Sequence, residues 1–331
     1  MSAPSDDPSY LDTYLAPLRI FLARNDVTDI YINGPGEIWL ETITGFSEQH
    51  DEPGLTEAKL LRLAHQIAAF AHQGVNREHP LLGATLPDGA RVQIVLPPAT
   101  RATTAIAIRK HVSSKLKLSD YAASGAFSDT ITGPQTGHLD VDRAIIAARD
   151  GGDLAEMLSL AVKARKTILI SGGTSTGKTT FLNALMDEIP DDERLILIED
   201  TPELLLRHSN AVGLLAARGE LGEARVTTND LLTASLRMRP DRIIVGELRG
   251  PEAFTFLRAI NTGHPGSMST VHADSPAHAI EQIALLVLQS GAPLRRADVI
   301  DYVKSTVDVY IQLARQNGRR RVAAVKLKDE F

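Results

Sequence analysis

Residues 172–179 read GGTSTGKT and fit the phosphate-loop pattern G-x-x-x-x-G-K-[ST]. Each position answers a need of a bound triphosphate. Gly172 and Gly177 let backbone N–H groups turn inward around the phosphates. Lys178 brings a cation to the β- and γ-phosphates, and the Thr179 hydroxyl suits Mg²⁺. Gly173, Thr174, Ser175, Thr176 and Thr180 complete the candidate nucleotide-binding stretch. The chemistry implied is binding and hydrolysis of ATP, with Mg²⁺ as cofactor.

Three other segments carry groups such chemistry needs. Residues 241–247, DRIIVGE, are a hydrophobic run ending in Glu247, which can polarise an attacking water or act on Mg²⁺ through water. Residues 199–203, EDTPE, close another apolar run. Glu199 and Glu203 are candidate Mg²⁺ ligands through waters, and Glu203 is also a candidate catalytic group; the plainer reading is an Asp-Thr-Pro turn. Residues 262–273, TGHPGSMSTVHA, place His272 after a β run, where it can contact a γ-phosphate. An isolated histidine is more often structural, and His65, His72 and His79 are read that way.

These side chains need a scaffold that brings them to one edge. Residues 168–170, 195–198 and 243–245 are apolar without alternation, as in parallel strands covered on both faces. Strands are expected at 167–171, 194–199, 242–246 and 267–271, with helices at 153–164, 178–188, 228–238, 251–262 and 276–290 between and around them. That alternation predicts an α/β doubly wound domain over 151–331, where ligands sit at the carboxyl ends of the strands. Residues 1–110 read as a smaller α+β domain, with helices at 10–24 and 55–72, a hairpin over 30–40, and strands at 90–96 and 103–109. Residues 111–150, rich in Ser, Thr, Gly and Asp at first, read as a linker with a short helix at most.

Composition narrows the class. The 331 residues carry 35 Lys+Arg against 41 Asp+Glu, a net charge of −6, so a strongly basic nucleic-acid binder is not indicated. There is no cysteine, hence no disulfide framework and no thiolate zinc site. No signal peptide or membrane span is read, so membrane association is expected to be peripheral. Arg315, Arg319, Arg320, Arg321, Lys326 and Lys328 read as a solvated hairpin or as a contact for an anionic membrane surface.

The four chemical segments, in this order, resemble the Walker A, Asp, Walker B and His boxes of the secretion ATPase superfamily. Residues 26–39, DVTDIYINGPGEIW, and 91–98, RVQIVLPP, are similar to the N-terminal domain of type IV secretion traffic ATPases. The resemblance implies a RecA-like P-loop C-terminal domain and a homohexameric ring. It implies work in a conjugation-like secretion system, powering substrate translocation or pilus assembly, in the cytoplasm and peripherally at the inner membrane. Other type IV secretion ATPases and inner-membrane components would be its partners, and direct nucleic-acid binding stays open. It also implies that Arg91 and Arg109 reach the phosphates. Arg101 is a weaker candidate, and Arg237, Arg239 and Arg249 are expected to face the site or a neighbouring subunit. The rival readings are a pilus retraction or type II secretion motor, a RecA-like nucleic-acid translocase and a non-catalytic nucleotide-gated scaffold. Type II motors usually carry a four-cysteine zinc module, which this chain lacks.

Overall fold

The computed structural model describes residues 8–101, 103–111, 117–123, 125–128, 130, 140–217 and 222–331. The N-terminal half opens with α1 (Pro8–Leu15) and α2 (Arg19–Leu22), not the single helix expected. A 3-10 turn at Ala16–Leu18 separates them, because Pro17 cannot donate into a continuous α-helix. Then come β1 (Val27–Ile32), β2 (Gly36–Thr42), β3 (Ser47–Glu52), α3 (Glu57–Phe70), β4 (Leu81–Thr85), β5 (Arg91–Val95) and β6 (Ala105–Arg109). The strands form one sheet in the order β3-β2-β1-β6-β5-β4, with every pair antiparallel. Thr56 caps α3 by accepting from Lys59 N, and its apolar stripe of Leu60, Leu63 and Ile67 is buried with Ile30, Ile38, Ile94 and Ile106 of the sheet.

Two helices follow, α4 (Leu118–Ala123) and α5 (Asp140–Asp150). Both fall in the linker expected over 111–150, of which residues 112–116, 124, 129 and 131–139 lie outside the described residues. Residues 140–150 are helical, and Ile145 is buried against Met157 and Leu158 of α6 (Leu154–Lys163). Val141, Ile145 and Ala148 stand at helical spacing, which the Ser/Gly-rich stretch before them concealed.

The C-terminal half continues with β7 (Ile168–Gly172), α7 (Lys178–Met186), β8 (Leu195–Glu199), β9 (Ala211–Leu215), α8 (Thr228–Ser235), β10 (Arg242–Val245) and α9 (Glu252–Asn261). It ends with β11 (Met268–Val271), α10 (Pro276–Gln289), α11 (Arg296–Thr306), β12 (Val309–Gln316) and β13 (Arg319–Leu327). The sheet order is β13-β12-β7-β11-β10-β8-β9, parallel throughout except for β13. Separate apolar clusters cover its two faces. The consequence for function is geometric: β7, β8, β10 and β11 end on the same edge, and each hands a chemical segment to it.

The two halves meet in a shared apolar cluster, where Tyr31, Trp39, Val95 and Ala99 join Val212 and Leu214, and through polar contacts. Arg194 is fully buried, stacks 3.9 Å over the Tyr31 ring and donates to Asn33 Oδ1 at 2.8 Å. Tyr31 Oη donates to Glu41 Oε2 at 2.8 Å, and Arg239 pairs with Glu41.

Candidate active site

The phosphate loop joins β7 to α7. Its shape depends on two glycines. Gly177 sits in the left-handed region, at φ 92°, and a Cβ on Gly172 would lie 2.5 Å from Thr176 Oγ1 and 3.0 Å from Leu313 O. The loop borders a cavity of about 440 Å³ whose lining includes residues 173–180 together with Glu199, Glu203, Glu247, Arg249, His272 and Arg320.

Lys178, Glu247 and His272 converge, although 94 residues separate the first from the last. Lys178 Nζ donates to Gly172 O at 3.0 Å and stands 3.5 Å from Glu247 Oε1. Burial pulls the Lys178 pKa below the ordinary lysine value, against the opposing pull of Glu247. His272 Nε2 lies 2.9 Å from the same Glu247 oxygen, close enough for an ion pair. Yet Glu247 Oε1 is buried and no donor is aligned on it as a hydrogen bond. The other oxygen, Oε2, pairs with Arg249. Glu247 therefore presents one oxygen paired with Arg249 and one with room for a donor beside the phosphate loop, which fits a group that takes a proton from water or holds a metal-bound water.

Glu199 and Glu203 divide their work differently. Glu199 Oε1 accepts from the backbone N–H groups of Glu203 at 2.9 Å and Leu204 at 2.7 Å. Its Oε2 pairs with Arg101, so both oxygens face protein donors in this arrangement. The Glu203 carboxylate is exposed at the cavity, and its carbonyl accepts from Asn183 on α7 at 3.3 Å.

A model of the family described as "Type II/IV secretion system protein" matches residues 13–326. The chain belongs to that family. It is 38% identical over 326 residues to a type IV secretion system protein VirB11 of Bartonella henselae, covering 95% of this chain and 91% of that one. It is 37% identical to the type IV secretion system protein PtlH of Bordetella pertussis, covering 99% and 98%. Its fold matches the crystal structure of the VirB11 ATPase from the Brucella suis type IV secretion system in complex with sulphate. The TM-score is 0.90 at 35% identity, covering 96% of this chain and 97% of that one. The chain is a secretion ATPase with a two-domain α/β fold, a P-loop C-terminal domain and a smaller α+β N-terminal one.

Within the ATPase, the arginines take different places. Arg91 and Arg109 do not border the phosphate-loop cavity of their own chain. They line a separate cavity of about 560 Å³ together with Arg237, and Arg109 Nε donates to Asp29 Oδ1 at 3.0 Å. The register explains this. Arg91 pairs with Arg109 at one end of β5 and β6, whereas the opposite end leads into the loop that touches β9. Arg101 lies in that loop and is joined to the site through Glu199. Arg249 lines the site, while Arg239 is drawn into the contact with Glu41. Arg320, read in sequence only as part of a basic hairpin, packs on the loop: a Cβ on Gly177 would meet its Cδ at 3.0 Å. No local pattern could have paired Arg320 with Gly177; β12 and β13 carry it there across the sheet.

Proposed function

We propose that this ATPase binds ATP with Mg²⁺ in the phosphate-loop cavity and works as a homohexameric motor of a type IV secretion system. The observation that carries the catalytic part is Glu247 Oε1, held between Lys178 and His272 without an aligned donor. In this reading the loop amides and Lys178 hold the β- and γ-phosphates. The Thr179 hydroxyl would hold Mg²⁺, and Glu203 and Glu247 would hold its waters. The metal neutralises charge on the phosphates when bound. Glu247 takes the proton of the attacking water, whose oxygen bonds to the γ-phosphorus as the bond to the β–γ bridging oxygen breaks. His272 reads the γ-phosphate, and Arg249 orients Glu247.

Family membership and the arginines support the ring. Arg91 and Arg109 border an open cavity away from their own phosphate loop, which favours their serving the nucleotide of a neighbouring copy. Opening and closing of the N-terminal halves would drive substrate transfer or pilus assembly. Among the described residues no helix is long and apolar enough to cross a membrane. In this reading the motor works in the cytoplasm, peripherally at the inner membrane. Partners in this reading are other ATPases and inner-membrane components of the system.

Glu247→Gln tests the assignment. It should keep ATP affinity within about threefold and lower the turnover rate at least ~100-fold, the range for loss of a positioned base. Unchanged turnover would remove Glu247 from the reaction.

A further inference from the structure

Arg101 belongs to the N-terminal half and Glu199 to the ATPase sheet, yet the two share an ion pair, Arg101 Nη2 donating to Glu199 Oε2. Three features show that the contact is built into the fold. Segment 99–101 adds to the edge of the sheet antiparallel to β9: Leu215 N donates to Ala99 O at 2.9 Å, Arg101 N donates to Gly213 O at 3.1 Å, and Thr100 bridges Leu214. The arginine stem crosses β9 at its glycine, where a Cβ on Gly213 would stand 2.5 Å from Arg101 Cδ. Beyond Glu199, the same carboxylate takes the N–H groups of Glu203 and Leu204. One line of contacts thus runs from the N-terminal half, through two side chains, to the backbone that carries Glu203 into the nucleotide cavity.

This arrangement is costly as a stabilising device. The Glu199 side chain is 3% exposed and that of Arg101 19%, and Arg101 Nε is buried with no hydrogen-bond partner among the described residues. Buried pairs return little stability once desolvation is counted, and an unpaired guanidinium nitrogen makes the balance worse. What the pair does supply is position.

We propose that Arg101 is a positioning residue of the ATPase site: it orients Glu199, and through Glu199 the 203–204 backbone, only while segment 99–101 is seated on β9. Hydrolysis is then coupled to the docking of the N-terminal half on the edge of the ATPase sheet. The inference rests on the reading of the phosphate-loop cavity as the site of hydrolysis.

The test compares full-length Arg101→Ala, Arg101→Lys, Gly213→Ala and Lys178→Ala for ATP turnover, with affinity measured using a fluorescent ATP analogue. Arg101→Ala should lower kcat at least ~10-fold with analogue affinity within about twofold, because the phosphates are held by other groups. Arg101→Lys, which keeps a cation for Glu199, should recover part of kcat. Gly213→Ala, which blocks the path of the stem, should reproduce the Arg101→Ala defect, and the double variant should be no worse than either alone. Wild-type kcat in Arg101→Ala, or additive losses in the double variant, would overturn the proposal. So would equal losses of kcat and affinity, or a lysine variant no better than alanine. Should Arg101→Ala fail to fold, the lysine and Gly213 variants carry the same test. Lys178→Ala separates the failures: if it keeps turnover, the cavity reading itself falls, whereas an inactive Lys178→Ala beside a normal Arg101→Ala sinks only this inference.

Discussion

Lys178 shows how one residue can be both poised and held back. Its ammonium contacts Gly172 O, Glu247 and His272, so phosphates must exchange for contacts it already makes. Burial lowers its pKa, and bound phosphates would raise it again. The sign of the pH dependence follows. Below the lowered pKa the lysine is charged in both free and bound protein, and affinity is flat. Above it the free protein must take up a proton to bind, so affinity for ATP should fall by about tenfold per pH unit. That fall should begin below the ordinary lysine range, and titration of a fluorescent ATP analogue from neutral to alkaline pH measures it. Lys178→Arg should flatten the profile, since a guanidinium stays charged. Lys178, Glu247 and His272 were legible in the sequence because each follows a hydrophobic strand, and strands of one parallel sheet end together. Arg101 was legible only as a weaker candidate, because its place depends on a glycine more than a hundred residues away in a strand too short to recognise.

At the scale of elements, the phosphate loop depends on two contacts across the sheet, Gly172 with β12 and Gly177 with Arg320 of β13. Gly177→Ala puts a Cβ on a backbone at φ 92° and against Arg320 Cδ. It should cost about 1 kcal/mol of stability and raise the KM for ATP at least ~10-fold. Thermal melting and steady-state kinetics would show both. Arg320→Ala should relieve the crowding but not the backbone strain, and so rescue KM only in part. The strands that flank the loop were readable as continuous apolar runs. β3 was not: Ser47–Glu52 is wholly polar, an edge strand that its partner β2 defines. β9 is five residues long, and α5 was hidden behind a segment of turn-forming composition. The basic C-terminal stretch was expected as a hairpin, and the sequence offered no sign that β12 would extend the parallel sheet and bury Tyr310, Ile311 and Leu313.

For the whole molecule, the contact between the halves is the feature on which function turns. Arg194 is its centre: burial pushes its pKa down to about 10, yet it remains charged at neutral pH, stacked on Tyr31 and bonded to Asn33 and Asn210. Arg194→Ala should destabilise the protein by about 3 kcal/mol, because Asn33 Oδ1 and the Met238 carbonyl lose the arginine as donor and Asn210 Oδ1 keeps only the Asn33 amide. Chemical denaturation followed by far-UV circular dichroism would record the loss. The ring makes a separate demand. If Arg91 and Arg109 serve a neighbour, mixing inactive Lys178→Ala chains with inactive Arg91→Ala/Arg109→Ala chains should restore about a quarter of wild-type turnover at equal amounts, from sites assembled across unlike subunits. If they serve their own chain, no complete site can form and the mixture stays inactive.

The central claim, an ATPase that acts as a ring, is tested most directly by measuring ATP turnover per chain against protein concentration, with mass by light scattering under the same conditions in ATP and Mg²⁺. Turnover per chain should rise with concentration as the mass moves from one subunit to six. Full turnover at the mass of a single chain would contradict the account, and would leave a stand-alone P-loop enzyme in its place.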